Sequence, residues 1–178
     1  MDSNKKLRWG ILGTGGIAKA FARGVAHSKT GQLVAVGSRS AEGAEKFGAE
    51  FSVPRRHASY ETLLADQEVD AVYIATPHPF HAELSMRAAE AGKHVLCEKP
   101  ASLNAAMTAA VIESAQRHNV FYMEAYMYRC HPQTAKLVEL LRAGEIGEVR
   151  HIQAAFSFHG GFNPEKRLFN NALGGGGI

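Results

Sequence analysis

Gly13-Thr14-Gly15-Gly16-Ile17-Ala18 decides the fold. This run follows a short apolar stretch, Leu7 to Leu12, and leads into Ile17, Ala20, Phe21 and Val25, which recur at helical spacing up to a stop near Thr30-Gly31. Strand, glycine turn and helix in that order, carrying G-x-G-x-x-A, form the arrangement a dinucleotide phosphate loop requires. Each position has its own reason. Gly13 permits the tight turn, Gly15 lacks the Cβ that would hold the backbone away from a pyrophosphate, and Ala18 lets the helix lie close on its strand. The helix N-terminus then offers unsatisfied N–H groups and a partial positive charge. Gly13, Thr14, Gly15, Gly16 and Ile17 are therefore expected to bind cofactor.

Outward from that loop the alternation continues. Leu33 to Val36 is a second apolar run closed by Gly37-Ser38-Arg39-Ser40, and Ala41 to Phe47 reads as a small-residue helix ended by Gly48. A short third strand fits between Val53 and Ala58, after which Ser59 is an N-cap for a helix with Leu63 and Leu64 on its apolar face. Ala71 to Ala75 has the pattern of a strand buried on both faces. Phe80, Leu84, Ala88 and Ala91 predict one helical face closing at Gly92, and His94 to Cys97 is the fifth strand. A helix over Asn104 to His118 and a sixth strand within Val120 to Tyr126 follow. The series predicts an α/β fold: a doubly wound parallel Rossmann sheet over residues 1–126.

Beyond Tyr126 the texture changes. Pro132 and Thr134 open an amphipathic helix with Leu137, Leu140 and Leu141 on one face, ended by Gly144 and Gly147, and Val149 to Phe158 alternates like a half-buried antiparallel strand. Residues 127–178 thus read as the start of a second α/β domain with an open, mainly antiparallel sheet.

Composition narrows the function. The 178 residues are 46% hydrophobic, and 20 Lys and Arg against 17 Asp and Glu leave a formal charge of +3 that is spread along the chain. Such a chain buries a sizeable core and has no basic run that calls for nucleic acid. No apolar run approaches the roughly 18 residues of a membrane span. Cys97 and Cys130 form neither a CxxC pair nor a disulfide framework, which points to the cytoplasm.

The ligand crevice of an open parallel sheet lies outside the carboxyl ends of its strands. Ser38 and Arg39 end the second strand, where an acid would hold the ribose 2′-hydroxyl of NAD; no acid appears before Glu42. Ser38 can donate to a 2′-phosphate and Arg39 can pair with it, so NADP is expected, with NAD second. Thr76-Pro77-His78-Pro79-Phe80-His81 and Glu98-Lys99-Pro100 end the fourth and fifth strands. His78 and His81 stand at i, i+3 without a third ligand, so no metal is expected.

Taken in order, G-T-G-G-I-A, A-T-P-H-P-F-H and E-K-P resemble the glucose–fructose oxidoreductase/inositol dehydrogenase (Gfo/Idh/MocA) family. Glu124 to Arg129, the G-x-I-G-E-V-R stretch from Gly144 to Arg150 and the closing glycine run add to the likeness, which is nearest the NADP-dependent sugar and trans-dihydrodiol dehydrogenases. The resemblance implies hydride transfer between NADP(H) and a secondary alcohol or carbonyl of a sugar, polyol or cyclic diol. By the same resemblance Lys99 is catalytic and hydrogen-bonds the reacting oxygen, Glu98 contacts the nicotinamide ribose, Thr76 and Pro77 line the pocket, and His81 sits under the cofactor. Tyr128 and Arg129 are candidates to reach substrate or to pack between domains. A homo-oligomeric full-length form is implied too. In the family an Asp and a His follow the glycine run, so the chain reads as a fragment that binds cofactor and turns over poorly. A second reading, of another class, is a non-catalytic dinucleotide-binding module that senses redox state or regulates a partner.

Overall fold

The computed structural model describes residues 6–157, 159–165 and 168–173. Its elements in chain order are β1 (Leu7–Leu12), α1 (Gly16–Ala26), β2 (Gly31–Gly37), α2 (Ala41–Glu50), β3 (Arg55–His57), α3 (Tyr60–Leu64), β4 (Ala71–Ile74), α4 (His81–Glu90), β5 (His94–Cys97), α5 (Ala105–Arg117), β6 (Tyr122–Glu124) and α6 (Pro132–Arg142). The six strands form one sheet in the order β3-β2-β1-β4-β5-β6, parallel throughout. This is the doubly wound sheet expected from the alternation.

Alternate strand residues face opposite sides, and each side has its own core. Leu12, Ala35, Val72, Ile74, Val95 and Cys97 pack with Leu63, Leu64, Leu84 and Ala88. Ile11, Val36 and Tyr73 pack on the other side with Ala18, Ala22, Phe47 and Val53. Fully burying a side chain such as Ile11, Phe47, Leu63 or Ile74 contributes about 1.5–3 kcal/mol. Helix starts are marked as the sequence suggests: Ser40, Ser59 and Asn104 accept from the backbone N–H three residues on, at Gly43, Thr62 and Met107.

A buried carboxylate fixes the short β3. Asp66, its side chain 2% exposed, accepts from Arg55 Nε at 2.5 Å and Nη2 at 2.8 Å, and His57 Nε2 lies 3.0 Å away. The Arg55 guanidinium holds the Asp66 carboxyl down, to about 2. Lys93, also buried, donates from Nζ to the carbonyls of Asp66 at 2.7 Å and Val69 at 2.9 Å.

Three expectations change. Helix α2 runs through Gly48 to Glu50, because a Cβ at Gly48 would stand 2.3 Å from Arg56 Nε; the glycine serves close packing and does not end the helix. On α4 the buried face is His81, Leu84, Ser85 and Ala88, while Phe80 precedes the helix at 42% exposure and Ala91 follows it. Residues 149–157 form no strand, since no described segment pairs with them, and Phe158 and the glycine run Gly174 to Gly177 lie outside the described residues. Helix α6 forms as expected, with Leu137, Val138 and Leu140 exposed, and Gly144 and Gly147 follow it at positive φ.

Candidate cofactor cleft

The strand order reverses its winding between β1 and β4, and a cleft of about 610 Å³ opens outside the carboxyl ends of those strands. Gly13, Thr14, Gly15 and Ile17 form one wall; Ser38, Arg39 and Tyr60 close one end; Thr76, Pro77, Glu98 and Lys99 form the other wall. Ten of the residues expected from sequence thus meet in one place. Gly16 sits exposed at the first position of α1 beside them.

Local geometry suits an anionic ligand at the glycine loop. Gly13 has φ +102°, and a Cβ there would lie 3.1 Å from the Ala75 carbonyl oxygen, so it serves both the turn and the approach of β1 to β4. At Gly15 and Gly16 an added Cβ would meet no described residue beyond its immediate chain surroundings within 4 Å, which leaves the loop backbone open to the cleft. Helix α1 has no side-chain cap and no acid in its first turn, unlike α2 and α3, and its first N–H groups are left for a ligand. Thr76 adds a buried Oγ1 with no hydrogen-bond partner among the described residues at the end of β4. These features fit a dinucleotide, whose pyrophosphate the α1 N-terminus would hold.

The second-strand end carries the specificity candidates. Ser38 is buried, its N–H donating to the His57 carbonyl at 3.0 Å, and Arg39 is exposed with no ion pair among the described residues. Tyr60 stands beside it: burial pushes its phenol up while the Arg39 charge pulls it down. Arg39, Tyr60 and Pro77 also line an adjoining hollow of about 400 Å³, bounded by Ser59, Glu61 and Phe80. Tyr60 is not among the residues expected at the site; its one signal in the sequence is an aromatic ring directly after the Ser59 cap, at the carboxyl end of a strand.

The E-K-P segment is tied down residue by residue. Tyr73 Oη donates to Glu98 Oε1 at 2.5 Å, and burial first, then the Glu98 carboxylate, pushes that phenol up and keeps it a donor. The Lys99 N–H donates to Glu98 Oε2 at 3.2 Å, and the Ala101 N–H donates to Glu124 Oε1 at 2.7 Å. Lys99 itself is exposed on the cleft wall, its ammonium without an ion pair among the described residues. His81 is 0% exposed and lies behind the wall, with Nδ1 2.7 Å from the Pro100 carbonyl oxygen and Nε2 2.8 Å from that of Thr76. Among the described residues no three His, Cys, Asp or Glu side chains gather to hold a metal, and no helix is long and apolar enough to cross a membrane.

Tyr128 and Arg129 lie on the 3-10 turn Met127–Cys130, with Tyr128 57% exposed against Tyr126. Its neighbour Met127 lines the cleft instead, with Ala125 and Leu173. Ala125 and Met127 fall in the family-like stretch Glu124 to Arg129, but nothing in the sequence singles out these apolar residues for the cleft.

A sequence model for a family described as "Oxidoreductase family, NAD-binding Rossmann fold", GFO_IDH_MocA, matches residues 7–126. The chain is 40% identical over 171 residues to trans-1,2-dihydrobenzene-1,2-diol dehydrogenase of Mus musculus, covering 95% of this chain and 51% of that protein. It is 41% identical over 152 residues to D-xylose 1-dehydrogenase (NADP(+)) 2 of Haloferax volcanii, covering 85% and 46%. In structure it is similar to a 3-ketoreductase from Actinomadura kijaniata in complex with TDP-benzene and NADP. That match has a TM-score of 0.76 at 32% identity, over 82% of this chain and 46% of the other. The chain spans about half the length of the curated relatives it matches.

Proposed function

Because the chain belongs to the Gfo/Idh/MocA oxidoreductase family, we propose that its cleft binds NADP(H) and that Lys99 is the catalytic residue of a dehydrogenase or reductase acting on a sugar, polyol or cyclic diol. One observation carries this reading: exposed Lys99 lines the same cleft as the glycine loop, without an ion pair among the described residues. Relatives named for dihydrodiol and NADP-dependent xylose oxidation support the substrate class and the cofactor.

Bound NADP(H) supplies the two-electron hydride couple. Gly13 to Ile17 and the α1 N-terminus hold the pyrophosphate, Ser38 and Arg39 the 2′-phosphate, and Thr76, Pro77 and Glu98 orient the nicotinamide end. In reduction the Lys99 ammonium hydrogen-bonds the substrate carbonyl oxygen and passes its proton as negative charge collects there; in oxidation it takes that proton back. Residues 1–126 act as the cofactor domain and 127–178 begin a second domain; with half the relatives' length in view, the reaction is proposed for the whole protein. We place that protein in the cytoplasm as a homo-oligomer, with Cys97 buried and Cys130 exposed, both free thiols.

The test is Lys99→Met in the full-length protein. NADPH affinity should stay within about 3-fold while turnover falls by about 10²–10⁴-fold, the usual share of a general acid–base group. Unchanged turnover removes Lys99 from the mechanism.

A further inference from the structure

His81 is held in a way that neither packing nor cofactor contact explains. It stands at the first position of α4 on the buried face with Leu84, Ser85 and Ala88, where an apolar ring would fill the space. Both its nitrogens meet backbone carbonyls instead, Nδ1 that of Pro100 at 2.7 Å and Nε2 that of Thr76 at 2.8 Å. The two carbonyls belong to different loops, one after β5 and one after β4, and both loops line the cleft.

We propose that His81 is a positioning residue: its ring clamps the Lys99-Pro100 segment to the end of β4 and so sets where the Lys99 ammonium reaches. The proposal rests on the role of Lys99 given above. Of the run 98–101, Glu98 is held by Tyr73 from β4, Ala101 by Glu124 from β6 and Pro100 by His81 from α4. The Lys99 side chain lines the cleft without an ion pair among the described residues, and its reach depends on the peptides on either side. A carbonyl oxygen accepts and never donates, so the ring meets this backbone as a donor, through whichever nitrogen carries hydrogen. Leaving a buried carbonyl unpaired costs about 1–3 kcal/mol, so a ring without its donors lets the two loops part.

Two measurements test the clamp. In nitrogen-resolved NMR of histidine-labelled protein, His81 should show a slowly exchanging ring N–H proton coupled across its hydrogen bond to the Pro100 or Thr76 carbonyl carbon. Fast exchange, or no coupling to either carbonyl, overturns the clamp, and this reading does not depend on turnover or on a variant folding. In the full-length protein His81→Asn should lower kcat about 100-fold, the effect of misplacing a reacting group by about 1 Å, with NADPH affinity within about 3-fold. His81→Gln, which can still donate to one carbonyl, should recover part of that loss. An unchanged kcat, or NADPH affinity falling as far as kcat, overturns the positioning role. If the unaltered protein reduces no sugar or diol substrate, the proposed function fails, while the NMR result still decides the clamp.

Discussion

Replacing Arg39 with Ala should separate the two nicotinamide cofactors. The guanidinium is exposed at the cleft end, makes no ion pair among the described residues and packs into neither core, so its loss should leave stability nearly unchanged. Against a 2′-phosphate it can form paired charge-assisted hydrogen bonds, each worth about 1.5–3 kcal/mol where water is excluded. Here the rim is open, and a total of about 2 kcal/mol is the better figure, or about 30-fold in affinity. Titration by NADPH fluorescence should therefore show Kd rising about 30-fold for NADPH and less than about 2-fold for NADH. Raising the salt should shrink the preference of the unaltered protein, because screening at about 1 M acts within about 3 Å. Tyr60 supplies an internal check: without the Arg39 charge its phenol should titrate still higher. Equal losses for both cofactors, or none for either, would refute the assignment of Arg39 to the 2′-phosphate.

The remaining predictions concern the frame around the cleft. Asp66 has a carboxyl held below its usual 3.8, at about 2, so its stabilisation is present above about pH 4 and is lost as pH falls toward 2. The shift corresponds to about 2 kcal/mol, and urea midpoints should show that acid limb flattened in Asp66→Asn; a limb of unchanged slope would contradict it. Gly13→Ala and Gly15→Ala should part company. The first forces an alanine to φ +102° against the Ala75 carbonyl and should cost about 1–3 kcal/mol of stability. The second meets no described residue beyond its chain neighbours within 4 Å and should spare stability while weakening NADPH binding; equal loss of stability in both would remove the distinction.

The strands were legible where burial on both faces leaves little choice. His94–Cys97 is read to the residue and Ala71–Ile74 to within one, because a run of apolar residues between polar ends has one comfortable place in a covered parallel sheet. The phosphate loop was legible because its glycines are required by local geometry. What could not be read is what depends on a distant neighbour. Gly48 looks like a helix stop until Arg56 is seen against it, and Phe80 looks like a core residue until His81 takes its place one position on. The alternation from Val149 is equally a property of sequence alone, since a strand exists only beside a partner. His81 shows the same limit at the site: the family resemblance puts it under the cofactor, and only the fold shows its ring between the Pro100 and Thr76 carbonyls.

The carboxylate of Glu98 can be counted out. It has roughly four lone-pair positions, and the protein fills one on each oxygen, from Tyr73 Oη and the Lys99 N–H. Two are left. A vicinal diol such as that of a ribose carries two hydroxyl donors and would fill them, so a bound ribose would leave Glu98 no free acceptor position for the neighbouring ammonium, its charge acting on that ammonium only through space. On the proposed roles of these two residues, occupancy of the cleft would then leave the lysine to the oxygen proposed to react.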